Sequence, residues 1–235
     1  LEKDDIPSVL LPPQEVKGLY PQSDMREVDG LSLLIREDRV GRLFQTMYAG
    51  GFRYEGESLQ GGYRFVASNG WHITAYVRLF QCDRKMERLF ANLWERIHRA
   101  EGENELYCME PEDRYLLMVC WSAVRFSLSQ ADIRDAVDIY LYLKSCGQGL
   151  NWTYIDQRLA ECDLLDFSRG LRDLAWLWFA KFPREMKNDG YLDMEEYILS
   201  KGMYAREACM KLLPLMGRLE IWKIKEERKA RVLAV

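Results

Sequence analysis

Glu27 and Asp29 stand two residues apart, just ahead of the apolar run Leu31–Ile35. On an extended strand that spacing points two carboxylates the same way, so they could share a divalent cation. It suits equally two solvated acids at the start of the strand. Their neighbour Arg26 carries a guanidinium that could hold a structural ion pair. Arg134 and Asp138 lie four apart in "IRDAVD", on one face of a helix, where they could line a cleft or pair with each other. Lys17 and Arg125 are further cations with no motif around them. The two histidines, His72 and His98, have no partner cluster, and His72 between Trp71 and Ile73 suits a hydrogen-bonded structural role. The six cysteines (82, 108, 120, 146, 162, 209) contain no C-x-x-C pair, which argues against zinc and for reduced, mostly buried thiols. Gly61-Gly62 precedes a strand-like run rather than a helix, so it reads as a hairpin turn and not a phosphate loop.

The elements that must position these groups change character along the chain. "IPSVLL", "LSLLI", "FRYEG", "YRFVAS" and "WHITAYVRLF" read as strands, and a helix with apolar Val40, Leu43, Phe44 and Met47 follows the second of them. Beyond Phe80 the period becomes helical. "RKMERLFANLWERIHRA" reads as one amphipathic helix, "PEDRYLLMVCWSAVRF" as a buried helix started by Pro111 and two acids, "QADIRDAVDIYLYLKSCG" as a third and "NWTYIDQRLAECDLL" as a fourth capped by Asn151. Trp121, Trp176 and Trp178 read as core, and "KIKEERKARV" as a solvated tail. The expected class is α+β: a mixed sheet with flanking helices over residues 1–100, then a mostly helical domain over 101–235. Thirty-three basic against 37 acidic residues give a net charge of -4, which does not indicate a nucleic-acid partner. The longest apolar stretch, "YLLMVCWSAVRF", meets Arg125 well short of a membrane span, so no membrane association and a cytoplasmic setting are expected.

Seven strings carry a resemblance. "VLLPP", "LYPQSDMREVDGLSLLI", "HITAYVRLF", "PEDRYLLMVCWSAVRF", "IRDAVDIYLYL", "LNWTYI" and "MEEYILSKGMY" run collinearly from about residue 6 to residue 204. In that order and with comparable gaps they resemble an uncharacterised bacterial nucleotidyltransferase family of the DNA polymerase β-like superfamily. The resemblance implies that family's fold. It also implies helices ahead of the first strand, and the chain opens at Leu1 without Met, so a longer native protein is expected.

The departures bear on chemistry. Aligned through Met25, Arg26 and the trailing Leu33, Leu34 and Ile35, the family's "GDID" puts its two metal-binding aspartates on Gly30 and Ser32. The glutamate of "HIELH" falls on Thr74, the Lys-Gly of "LLKG" on Pro12 and Pro13, and the histidines of "HAAKHF" on Trp121 and Arg125. Nucleotidyl transfer in active relatives uses magnesium held by carboxylates beside the phosphates. A glycine and two neutral hydroxyls are poor replacements, so no catalytic residue and no cofactor are expected, and the resemblance implies a pseudoenzyme. Reading Glu27 and Asp29 as a displaced metal pair requires the strand to slip by three residues. Arg26, Arg134 and Asp138 remain candidate nucleotide contacts. The expected partner is a nucleotide or another protein. An active enzyme with unusual metal ligands and a purely structural protein are the alternatives.

Overall fold

The computed structural model describes residues 4–28, 30–58, 60–103, 105–181 and 189–200. Asp29 and Cys209, the last four residues of "MEEYILSKGMY" and the charged tail lie outside them. The chain divides into two compact units, Leu1–Glu110 and Pro111–Val235.

The first unit is a sheet of seven described strands: β1 (Ser8–Leu10), β2 (Gly30–Ile35), β3 (Arg53–Glu57), β4 (Tyr63–Val66), β5 (His72–Tyr76), β6 (His98–Arg99) and β7 (Leu106–Cys108), in the order β3-β4-β5-β2-β1-β7-β6. β2 runs parallel to β5 and β1 parallel to β7, while every other neighbouring pair is antiparallel. Its helices are α1 (Gln14–Lys17), α2 (Val40–Ala49) and α3 (Arg84–Phe90).

Strand alternation decides which side chains meet the core. Leu33 and Ile35 of β2, Ile73 and Ala75 of β5 and Phe65 of β4 pack with Leu43 and Met47 of α2. Each large aliphatic among them contributes roughly 1.5–3 kcal/mol by leaving water. Phe44 adds a cluster of tilted and edge-on rings with Tyr54, Tyr63 and Phe65 at 4.9–5.5 Å. The residues between them, Gly30, Ser32 and Leu34 on β2 and His72, Thr74 and Tyr76 on β5, therefore belong to the opposite face.

The reading of the run from Arg84 as one helix is revised. The amphipathic run from Arg84 makes only the short α3, a single turn at Leu93–Glu95 and then strand β6. The apolar spacing is helical, but His98 and Arg99 are taken up by pairing with Cys108 and Tyr107 of β7. Arg96 closes α3 instead, its guanidinium donating to the Leu89 carbonyl at 3.2 Å. β7 pairs with β1, and the first unit runs to Glu110.

The second unit is helical: α4 (Pro111–Ser127), α5 (Ile133–Cys146), α6 (Trp152–Glu161), α7 (Leu165–Phe179) and α8 (Gly190–Leu199). The three residues that open α4 each hold another part of the unit. The Pro111 carbonyl accepts from Tyr142 Oη at 2.7 Å, Glu112 from the backbone N–H of Asn151 at 2.8 Å, and Asp113 from Tyr154 Oη at 3.0 Å. The Asn151 side chain caps α6 as expected. Trp121, Trp176 and Trp178 are half-buried rather than core. Trp178 keeps its indole N–H on Glu195 of α8 at 2.7 Å, a polar group that full burial would have stranded. Among the described residues no helix is long and apolar enough to cross a membrane.

Candidate functional site

Register places the aligned positions together. Gly30 pairs with His72 and Ser32 with Thr74 across the parallel β2–β5 ladder. On the other side of β5, Thr74 pairs with Arg64 of β4. Directly paired residues share a face, so Arg64, Thr74 and Ser32 form one row across three strands. Thr74 is buried, Ser32 is half-buried, and Arg64 reaches solvent beside Glu55 at 3.2 Å.

The next row is Tyr76, against the β3–β4 turn. Tyr76 hydrogen-bonds with Ser58, and Ser58 Oγ accepts from the Gly62 N–H at 2.9 Å. Burial pushes the Tyr76 phenol above its ordinary range, with the Ser58 bond and the Arg64 charge acting the other way. A Cβ on Gly62 would stand 2.6 Å from the Tyr76 ring and 2.7 Å from Thr74 Cγ2, so glycine is what lets the turn lie this close. The turn is also closed by Ser58 N–H donating to the Gly62 carbonyl at 2.7 Å, as expected for a hairpin.

Gly30 sits in a tighter place. A Cβ there would collide with the His72 carbonyl oxygen and lie 2.6 Å from the His72 ring carbon Cδ2. The strands thus approach more closely at Gly30 than any side chain permits. The Gln14 amide of α1 donates to the Gly30 carbonyl, and Gln14 Oε1 is buried with no hydrogen-bond partner among the described residues.

The fit to magnesium is poor. A hard dication needs charged oxygen ligands, whereas this face offers the neutral hydroxyls of Ser32 and Thr74, no space at Gly30, and the cation Arg64 in the same row. Among the described residues no group of three or more His, Cys, Asp or Glu side chains is disposed to hold a metal ion. Glu27 is exposed, and Asp29 lies outside the described residues. Arg26 is buried at 7% exposure and donates from Nη1 to the Glu27 carbonyl at 3.2 Å.

Arg134 and Asp138 belong to the second unit. Arg134 forks onto Asp132, with Nε 3.1 and 3.0 Å from the two carboxylate oxygens, and so serves the cap of α5. Asp138 is half-buried on the same helix. Asp132 and Asp135 form a reciprocal capping box, to which Arg125 contributes a bond at 3.2 Å to Asp135, and Ser122 another at 3.1 Å. Burial works against the Asp132 charge, but the Arg134 bonds and the two guanidinium charges outweigh it and hold its carboxyl below the usual range. Asp135 is pushed up to about 6, because burial there exceeds the help from Arg125. Lys17 closes α1. Among the described cysteines all five are free; Cys120 and Cys162 are buried and the other three half-buried, with burial pushing the Cys82 thiol up to about 11.

Arg64 and Gln14 were not singled out from sequence, while Tyr76 is where the resemblance puts the second histidine of "HIELH". The alternation Tyr63-Arg64-Phe65 does put Arg64 on the face away from the core, but only the register with Thr74 reveals its place in the row.

Residues 1–180 match the family model described as uncharacterised nucleotidyltransferase. No curated protein matches the chain. Among solved structures, the solution structure of the antibiotic-resistance factor ANT(2'')-Ia is similar, with 11% identity, a TM-score of 0.46, and coverage of 67% of this chain and 86% of that one.

Proposed function

Since the chain belongs to the uncharacterised nucleotidyltransferase family, we propose that it is a pseudoenzyme whose β2–β5 face binds the phosphates of a nucleotide without magnesium and without transfer. The observation that supports this is the row Ser32–Thr74–Arg64: two hydroxyls where the resemblance would put carboxylates, with a guanidinium in the same row. Hydroxyls donate to phosphate oxygens and a guanidinium adds charge-assisted bonds, each worth roughly 1.5–3 kcal/mol, so the anion can be held directly. Magnesium in active relatives neutralises the transferring phosphates, and Arg64 supplies part of that charge here. The chain's own residues do the rest. Gln14 Oε1, buried and without a partner among the described residues while its amide donates to Gly30, is an acceptor for a ligand hydroxyl or amine. Arg26, buried four residues before β2, is a further phosphate contact. Arg134 is committed to Asp132, and neither it nor Asp138 is needed for this reading. A cytoplasmic setting agrees with the five free thiols.

The test is titration with nucleoside triphosphates, with and without magnesium, alongside an assay for pyrophosphate release. Expected is binding that magnesium does not strengthen, lost in Ser32→Val/Thr74→Val, and no release with magnesium or manganese. Release that disappears in Glu27→Ala or Asp29→Ala would establish an active enzyme with a displaced metal pair. Absence of binding would leave a structural or protein-binding role.

A further inference from the structure

His72 is the first residue of β5 and pairs with Gly30 across the β2–β5 ladder, one row ahead of Ser32 and Thr74. Strand alternation sends the intervening Ile73 to the core, so the imidazole shares the face of the two hydroxyls. Gly30 presents no side chain, and the His72 ring leans over that bare position. Its Cγ and Cδ2 would lie 2.8 and 2.6 Å from a Cβ at Gly30. The ring is half-buried and so still reaches solvent.

The polar atoms of this face are open. Among the described residues the His72 imidazole makes no hydrogen bond or ion pair, so the hydrogen-bonded structural role that its place in the sequence suggests has no partner there. The Ser32 and Thr74 hydroxyls are likewise unbonded among the described residues, although Thr74 is only 7% exposed. A hydroxyl buried to that degree and left unbonded carries a cost that a ligand oxygen removes. The Gln14 amide meanwhile occupies the Gly30 carbonyl, an acceptor that would otherwise repel an anion at this end of the strand.

The open donors thus stand in two rows. The Ser32 and Thr74 hydroxyls, with Arg64 beside them, make one row, and His72 makes the other. Two residues of strand separate the rows by roughly 6.5 Å. An imidazole offers an N–H donor in either protonation state. The spacing suits two phosphoryl groups of one chain, whereas a lone phosphoryl group seated on the hydroxyls and Arg64 leaves His72 unused. Resting on the nucleotide reading above, we propose that His72 is the specificity-determining residue of this face. It takes the second phosphoryl group and so selects nucleoside di- and triphosphates over monophosphates.

The experiment is calorimetric titration of the whole chain in chelator with the ribonucleoside triphosphate that binds the parent, then with its di- and monophosphate. The parent should hold the di- and triphosphate at least about tenfold more tightly than the monophosphate, the scale of one hydrogen bond to a charged group. His72→Phe keeps a ring over Gly30 and removes both nitrogens. It should weaken the di- and triphosphate about tenfold and leave the monophosphate unchanged, while His72→Gln, which returns an N–H donor, restores most of the difference. The chain has two histidines, so the ring-proton resonance that persists in His98→Gln belongs to His72. It should move on addition of the diphosphate and stay in place with the monophosphate, a reading that stands whether or not His72→Phe folds. Equal weakening of mono- and diphosphate in His72→Phe, a parent that does not distinguish them, or a His72 resonance unmoved by the diphosphate overturns the proposal and leaves the nucleotide reading in place. A parent that binds no nucleotide overturns both.

Discussion

Ser32 stands directly across the β2–β5 ladder from Thr74, and Gly30, two residues earlier, pairs with His72 so closely that no Cβ fits between them. The two positions differ in kind. Ser32 and Thr74 carry polar side chains on that face, whereas Gly30 is set by backbone approach.

Gly30→Ala should therefore destabilise the protein by about 2 kcal/mol, the scale of overpacking at a site where backbone must yield. Urea unfolding followed at the tryptophans measures it. A midpoint equal to that of the parent would mean that β2 and β5 separate at no cost there.

Ser32→Asp/Thr74→Glu should recreate divalent-cation binding without touching Gly30. Two carboxylates in direct cross-strand register repel, so this variant should melt below the parent in chelator. Magnesium should recover the loss, because a ligand that binds only the folded state stabilises it by mass action. The same magnesium response in parent and variant would show that the pair does not form a site. Adding Gly30→Asp should reduce stability further instead of completing the ligand set, for the steric reason above.

Asp135 makes the helical unit sensitive to pH. Its folded value of about 6 lies above the ordinary carboxylate value, so its contribution favours the folded state at low pH and is lost as pH rises from about 4 through about 6. Arg125→Met removes the charge that limits this loss and also exposes Asp132 to the cost of its burial. The variant should be destabilised by about 2 kcal/mol at pH 8, below the full cost of breaking a buried pair because Arg125 is partly exposed, and by clearly less at pH 5. Equal losses at both pH values would separate Arg125 from the Asp135 charge.

Tyr154→Phe changes the side chain's shape little but removes a hydrogen bond. It takes the 3.0 Å donor from Asp113, whose carboxylate is 2% exposed. A loss of about 1–2 kcal/mol is expected, read by thermal unfolding. A neutral result would mean that the other contacts of Asp113 suffice.

Much of this was legible in the sequence. Alternation gave β2, β4 and β5 their inner and outer faces, and the collinear strings aligned Ser32 with Thr74 before register showed them adjacent. "PED", "DIYLYL" and "LNWTYI", separate in the sequence, touch in the fold: Pro111, Glu112 and Asp113 meet Tyr142, Asn151 and Tyr154. What escaped depends on partners that residue spacing does not reveal. The run from Arg84 has helical spacing throughout, yet its end is drawn into a sheet by a strand of three residues too short to register as a pattern. Arg134 looked free to reach a cleft because its turn-mate Asp132, two residues back, is not a helical neighbour. The steric closure at Gly30 is a matter of ångströms between strands, which residue type alone does not encode.

β1 owes half of its pairing to a strand almost a hundred residues away: Ser8 meets Leu106 and Val9 meets Tyr107, and the Ser8 N–H donates to the Glu105 carbonyl at 2.8 Å. During synthesis, β2 can cover one edge of β1 early, but the other stays open until residue 108 has left the ribosome. Nascent chains carry a bare, apolar strand edge for that whole interval, the form of exposed edge that seeds association between copies. An expression fragment cut at residue 100 would hold that edge open permanently, and one cut at Glu110 would close it.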